Sequence, residues 1–119
     1  MKAVGVDIIE TERIAGSVAR FGDRFLRRVY TAQELAYCDG RTGSLAARWA
    51  AKEAVSKVLG TGIGDVNWHD IEVVNDERCR PAIQLHGAAA QLAARLGISA
   101  VAVSLSHTRE HAIAFVVAE

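Results

Sequence analysis

Arg48-Trp-Ala-Ala-Lys-Glu-Ala-Val-Ser-Lys-Val-Leu-Gly-Thr-Gly62 is the stretch on which the reading of this chain turns. Ala, Lys, Glu and Leu are strong helix formers, and Gly60 is a natural stop after Leu59, so the stretch predicts a helix. Ala51, Val55 and Leu59 recur at four-residue spacing and can pack inward together. Arg48, Lys52, Glu53 and Lys57 supply charge along the same helix. Glu53 stands one turn ahead of Lys57, the order that favours an ion pair across that turn. Taken alone, this describes an ordinary amphipathic helix with a solvated charged edge. A functional reading needs a second acidic group that could join Glu53 around a metal ion.

The start of the chain supplies one. Residues 2–9, Lys-Ala-Val-Gly-Val-Asp-Ile-Ile, predict a strand rich in β-branched residues. Alternation places Val4, Val6 and Ile8 on one face and Ala3, Gly5, Asp7 and Ile9 on the other. Asp7 therefore shares its side with small residues. A carboxylate there needs a cation, donors or a metal, because burying it unpaired is costly. The plainer alternative is an Asp at a frayed strand end.

Thr11 opens a helix predicted over 11–21, and five arginines (Arg13, Arg20, Arg24, Arg27 and Arg28) follow within residues 13–28. A local basic surface of this kind suits an acidic partner, although such runs are often only solvated helix faces. Thr31-Ala-Gln-Glu34 is a capping box that begins a short helix to about Cys38, and Ser44 is placed to cap the long helix. Trp68–Val74 and Pro81–Leu85 read as one hairpin, 87–96 as an Ala-rich helix ended by Gly97, and Ser99–Ser106 with Ala112–Ala118 as a second hairpin. The resulting order, β-α-α-α-β-β-α-β-β, predicts an α+β fold in which a small antiparallel sheet packs on the long central helix.

Composition narrows the function classes. With 119 residues the chain is expected to form one domain over 1–119. Lys plus Arg and Asp plus Glu both number 14, which argues against a generally basic nucleic-acid binder. Cys38 and Cys79 make neither a metal-ligand cluster nor a disulfide framework, as expected for a reducing cytoplasm. The apolar runs are short and broken by charge, so no membrane span is expected. Asp7 and Glu10 interrupt any signal-peptide core.

Two tempting motifs fail on context. Gly60-Thr-Gly62-Ile-Gly64 follows a helix rather than a strand, and Asp65 stands where the third glycine of a dinucleotide fingerprint belongs. Such a turn can still let backbone approach a phosphate or a pantetheine chain closely. Ser106 and His107 are neighbours on a strand, where side chains point to opposite faces, so they cannot form a nucleophile–base pair. His107 and His111 straddle a turn, which does not suit a two-histidine metal site.

Asp7 with Glu53 is the strongest constellation. Two carboxylates without clustered Cys or His favour a hard cation such as Mg²⁺, which commonly binds through one or two carboxylates plus substrate phosphates. Arg48, Lys52 and Lys57 fit the same substrate class, because phosphoryl transfer requires neutralised oxygens. The residues thus point to a small Mg²⁺-dependent enzyme acting on a phosphate ester or anhydride. A metal-dependent nucleotide hydrolase is one form of that chemistry.

Gly5-Val-Asp7-Ile-Ile-Glu10 with Arg13, Arg48-Trp-Ala-Ala-Lys52-Glu53-Ala-Val-Ser-Lys57, Gly60-Thr-Gly62 and Val103-Ser-Leu-Ser-His107-Thr resemble the holo-acyl-carrier-protein synthases. These are the short, single-domain branch of the 4′-phosphopantetheinyl transferases. The resemblance runs essentially end to end and includes Asn75-Asp…Arg80-Pro81 and the closing Val-Val-Ala-Glu119. It implies the 4′-phosphopantetheinyl transferase fold. It also implies transfer of the 4′-phosphopantetheine arm of coenzyme A to a serine of apo-acyl carrier protein, releasing adenosine 3′,5′-bisphosphate, with roles in fatty acid biosynthesis and lipid metabolism. A homotrimer with interfacial sites is implied as well. By resemblance, Asp7 and Glu53 are the Mg²⁺ ligands and Lys57 stands beside the pyrophosphate, with Glu53 the choice of base. Arg48, Gly60, Thr61, Gly62 and His107 match positions lining the coenzyme A pocket, and Arg13, Arg24 and Arg28 match the surface that meets the carrier protein. No nucleic-acid or membrane partner is implied. Cys79 departs from the family's turn glycine, and His111 replaces a usual Tyr. The alternative is a non-catalytic coenzyme A and carrier-protein binding module.

Overall fold

The computed structural model describes residues 2–119. Its elements run β1 (Ala3–Glu10), α1 (Thr11–Phe21), α2 (Asp23–Val29), α3 (Ala32–Cys38), α4 (Thr42–Leu59), β2 (Ile71–Asn75), β3 (Pro81–Leu85), α5 (Gly87–Arg95), β4 (Val101–His107) and β5 (His111–Ala118). A short 3-10 turn, Trp68–Asp70, precedes β2. The fold is α+β, with small antiparallel sheets against one long helix, as the sequence predicts.

The strands form two sheets rather than one. β5 lies between β1 and β4, and β2 pairs with β3 alone. The register of the larger sheet sets Gly5 opposite Val116, Asp7 opposite Ala114 and Ile9 opposite Ala112. In an antiparallel pair, residues directly opposite share a face. This face packs on α4, whose Ala46, Ala47, Ala50, Ala51 and Ala54 are all buried. Alanine and glycine leave little between the two backbones, so sheet and helix approach closely. A Cβ added to Gly5 would lie 2.4 Å from the Ala54 carbonyl oxygen. The outer face is different. Val4, Val6, Ile8, Ile113 and Phe115 are 63, 48, 62, 39 and 46% exposed.

Several boundaries depart from expectation. α4 begins at Thr42, so Ser44 lies inside its first turn rather than capping it. Residues 23–29 add a fourth helix before β2, turned off α1 at Gly22, whose φ is +56°. Trp68–Asp70 is not strand, because the Asp70 side chain accepts the Asn67 N–H and closes a turn. The capping box at Thr31 forms with both of its bonds, and Gly60 ends α4 in the left-handed region, φ +78°. Cys79 takes a left-handed φ of +62° although it is not glycine. The sequence departure at this turn therefore leaves the hairpin's geometry in place, at the strain a side chain brings there.

Candidate active site

Asp7 faces α4 because it belongs to the inner set of β1, and the helix meets it with Lys57. The Lys57 ammonium donates to Asp7 Oδ1 at 3.0 Å and to the Val6 carbonyl at 2.9 Å. Glu53 lies one turn earlier on the same helix. Burial, and then the nearby charge of Asp7, push its carboxyl above the usual range, and Lys57 pulls it partly back. The expected Glu53–Lys57 ion pair is thus replaced by Asp7–Lys57, since β1 brings a carboxylate within reach of the same ammonium. Asp7, Glu53 and Lys57 come together from two elements far apart in sequence.

This donor set fits a hard divalent cation. A shared cation would offset the charge of Asp7 that Glu53 feels, and both side chains offer only oxygen. Among the described residues no cluster of three or more His, Cys, Asp or Glu is placed to hold a metal. A cation bound by Asp7 and Glu53 would therefore keep positions for water and substrate oxygens.

Beside this group lies a cavity of about 720 Å³ lined by Glu53, Arg28, Trp49, Trp68 and the Ile63–Gly64 turn among others. Arg28, which lines the same cavity, connects Glu53 to the basic surface of α1 and α2. Arg13, Arg24 and Arg28 are exposed, and among the described residues none of them is in an ion pair.

Arg48 and His107 are placed elsewhere. They line a separate cavity of about 190 Å³ together with Tyr37, Ser44, Asn75, Cys79 and Pro81. Arg48 is not part of a solvated edge. It is 3% exposed, stacked 4.3 Å from the Tyr37 ring centroid, and donates to Asn75 Oδ1 at 2.6 Å and to the Ser44 carbonyl. Its Nε has no partner among the described residues. His107 closes over the first turn of α4, where a Cβ on Gly43 would lie 2.6 Å from the imidazole ring. A larger cleft of about 750 Å³ runs along His107, His111, Glu10 and Thr11. Gly60, Thr61 and Gly62 cap the far end of α4, where the amides of Thr61 and Gly62 both bond to the Ser56 carbonyl. At 1.5 Å per residue that is roughly 18 Å along the helix from Arg48. One chain alone does not gather the expected coenzyme A positions into one pocket.

Lys52 requires a correction. It was expected beside phosphate, yet its side chain is wholly buried against Glu34, 2.8 Å away. A partner supplied by another helix removes it from any substrate. Trp68 lines the cavity beside Glu53, a placement that an aromatic before a turn does not signal in sequence, while Asn75, quoted above for its hairpin, proves to be the residue that holds the Arg48 guanidinium.

Comparison with known proteins agrees with this fold. The family model described as ACPS, 4′-phosphopantetheinyl transferase superfamily, matches residues 3–116. The holo-[acyl-carrier-protein] synthase of Herpetosiphon aurantiacus is 50% identical, over 98% of this chain and 98% of that protein. The one from Koribacter versatilis is 49% identical, over 97 and 95%. Among solved structures, the Helicobacter pylori holo-[acyl-carrier-protein] synthase in complex with coenzyme A superposes with a TM-score of 0.90. It is 33% identical, with 98% of this chain and 100% of that chain covered. The Neisseria meningitidis synthase gives 0.88 at 37% identity, covering 98 and 96%.

Proposed function

This chain belongs to the 4′-phosphopantetheinyl transferase superfamily, and we propose that Asp7, Glu53 and Lys57 form the centre at which it carries out the family's reaction. The protein is an enzyme that transfers the 4′-phosphopantetheine arm of coenzyme A to apo-acyl carrier protein. The observation that carries the assignment of the centre is the meeting of β1 and α4 at Asp7, Lys57 and Glu53.

In this reading the carrier serine's oxygen forms a bond to the β-phosphorus of coenzyme A. The bond from that phosphorus to the oxygen of the adenosine 3′,5′-bisphosphate portion breaks. Asp7 and Glu53 would hold Mg²⁺, which when bound supplies positive charge to the pyrophosphate oxygens. Glu53 takes the serine's proton, directly or through a water. Lys57, half exposed at its tip, is free to turn from Asp7 toward the leaving bisphosphate and offset the charge that develops there.

Arg48 and His107 receive the phosphates at the nucleotide end, and the Gly60–Thr61–Gly62 turn flanks the arm. Because one chain separates these groups, we read the complete site as shared between subunits of a homotrimer. The exposed apolar face of β1 and β5 is the natural surface for that assembly, since water-exposed Val, Ile and Phe in one patch mark an interface. Arg13, Arg24 and Arg28 meet the acidic carrier protein, with Arg28 nearest Glu53. The whole of 1–119 acts as one domain. The free thiols Cys38 and Cys79 suit a cytoplasmic enzyme of fatty acid biosynthesis.

The test is the mass of an apo-carrier protein after incubation with coenzyme A and Mg²⁺. Wild type adds the arm, while Asp7→Ala and Glu53→Ala, both folded, do not. Transfer that persists in either variant refutes the assignment of the centre. Release of adenosine bisphosphate without carrier protein would identify a hydrolase instead, and binding without transfer a non-catalytic module.

A further inference from the structure

Lys52, one residue before Glu53, is the most enclosed cation among the described residues, with no exposed side-chain surface. Its ammonium donates to the carbonyls of Trp68, at 3.0 Å, and Ile71, at 2.5 Å, as well as pairing with Glu34 Oε1. Glu34 is held from its other side, since it also accepts the Val73 and Thr31 N–H groups at 2.9 Å. One side chain therefore fastens α4 to the 3-10 turn and to the start of β2. That turn forms a wall of the cavity containing Glu53. On it, the Trp68 indole lies 4.3 Å from Trp49, which in turn stacks on Phe25 of α2 at 6.0 Å.

Stability alone does not account for such a pair. Well-packed apolar residues of similar size are often as stable as a buried ion pair. What an apolar substitute cannot do is grip two carbonyls. We propose that Lys52 is a positioning residue: by holding the Trp68 and Ile71 carbonyls against α4, it fixes the tryptophan wall of the cavity in which Glu53 works. The role rests on Glu53 being part of the reacting centre, as read above.

Three variants separate this role from charge balance. Glu34→Gln leaves Lys52 and both carbonyl bonds, whereas Lys52→Met removes them. Lys52→Met with Glu34→Gln removes them without leaving a buried charge. Indoles in close contact give a coupled near-ultraviolet circular dichroism signal that reports the tilted Trp49–Trp68 geometry. Glu34→Gln is expected to lower Tm, yet keep that signal and a kcat within two-fold of wild type. The double variant is expected to fold, to lose the signal, and to drop kcat at least ten-fold with a smaller change in KM for coenzyme A. A double variant that keeps the signal or the kcat overturns the proposal. So does one that fails to fold, because Lys52 would then serve stability. Glu34→Gln losing kcat as fully as Lys52→Met also overturns it, since the ion pair rather than the carbonyl grip would be responsible. If Glu53→Ala proves active, the reading of the centre fails, while the circular dichroism comparison still tests the wall.

Discussion

Gly5→Ala is a single-methyl perturbation of the distance between β1 and α4. The added Cβ would lie 2.4 Å from the Ala54 carbonyl oxygen and 2.9 Å from Val58 Cγ2, whereas ordinary contact begins at 3.4 Å. The nearest obstacle is helix backbone, which cannot rotate away, so strand and helix must separate by up to about 1 Å. Overpacking of this kind costs about 1–3 kcal/mol, a fall in Tm of roughly 5–15 °C for a protein of this size. Asp7 is two residues along on the same face, and its 3.0 Å bond to Lys57 spans the same gap. A misplacement near 1 Å at a reacting centre lowers rate by about 100-fold. The assay pairs thermal unfolding with mass-detected transfer to a carrier protein. Gly16→Ala is the control: it lies in α1 with nothing within 4 Å of the new methyl, and should gain about 0.5–1 kcal/mol with activity unchanged. If Gly5→Ala loses stability yet keeps wild-type kcat, the strand–helix distance does not set the site, and the reasoning fails.

Glu53→Gln should be more stable than wild type at pH 8 in chelator. The folded protein binds the Glu53 proton more tightly than the unfolded chain, so the stability it contributes is present at low pH and lost as pH rises through the raised value. The difference between the two proteins should vanish below about pH 4. Added Mg²⁺ should raise the Tm of wild type but not of Glu53→Gln, and equal shifts would remove Glu53 as a ligand. Gly43→Ala places a methyl 2.6 Å from the His107 ring and should raise KM for coenzyme A about ten-fold through one weakened charge-assisted bond, with little change in kcat; an unchanged KM would exclude His107 from the pocket. Arg24→Glu should raise KM for the carrier protein at least about ten-fold and leave that for coenzyme A alone, and salt should weaken wild-type turnover in the same way. Parallel changes in both constants would count against a carrier-specific surface.

The arrangement of β1 and α4 was legible because two periodicities met. Alternation put Asp7 with Gly5, and the helical run put Glu53 and Lys57 on successive turns. The charges were not legible in the same way. Arg48, Lys52 and Lys57 look alike in sequence, yet one stacks on Tyr37, one is sealed against Glu34 and one remains half exposed. What separates them is the identity of distant partners, and Glu34 announced only its local role in the capping box. The outer face of β1 presents a related difficulty. Alternation separates two apolar faces but does not say which one water sees, and here the bulkier one is exposed.

The pairing of β1 with β5 also governs when the enzyme can appear during synthesis. Asp7 is made well before its partner, since its strand takes its place beside Ala114, more than 100 residues later. At about 5–20 residues per second a ribosome needs roughly 5–20 s to cover that interval. Until then β1 has α4 to lean on but no strand to bond, and its backbone donors remain open. Activity should therefore emerge late and all at once, with no partially active nascent chain, and any truncation that removes β5 should abolish it although Asp7, Glu53 and Lys57 are still encoded.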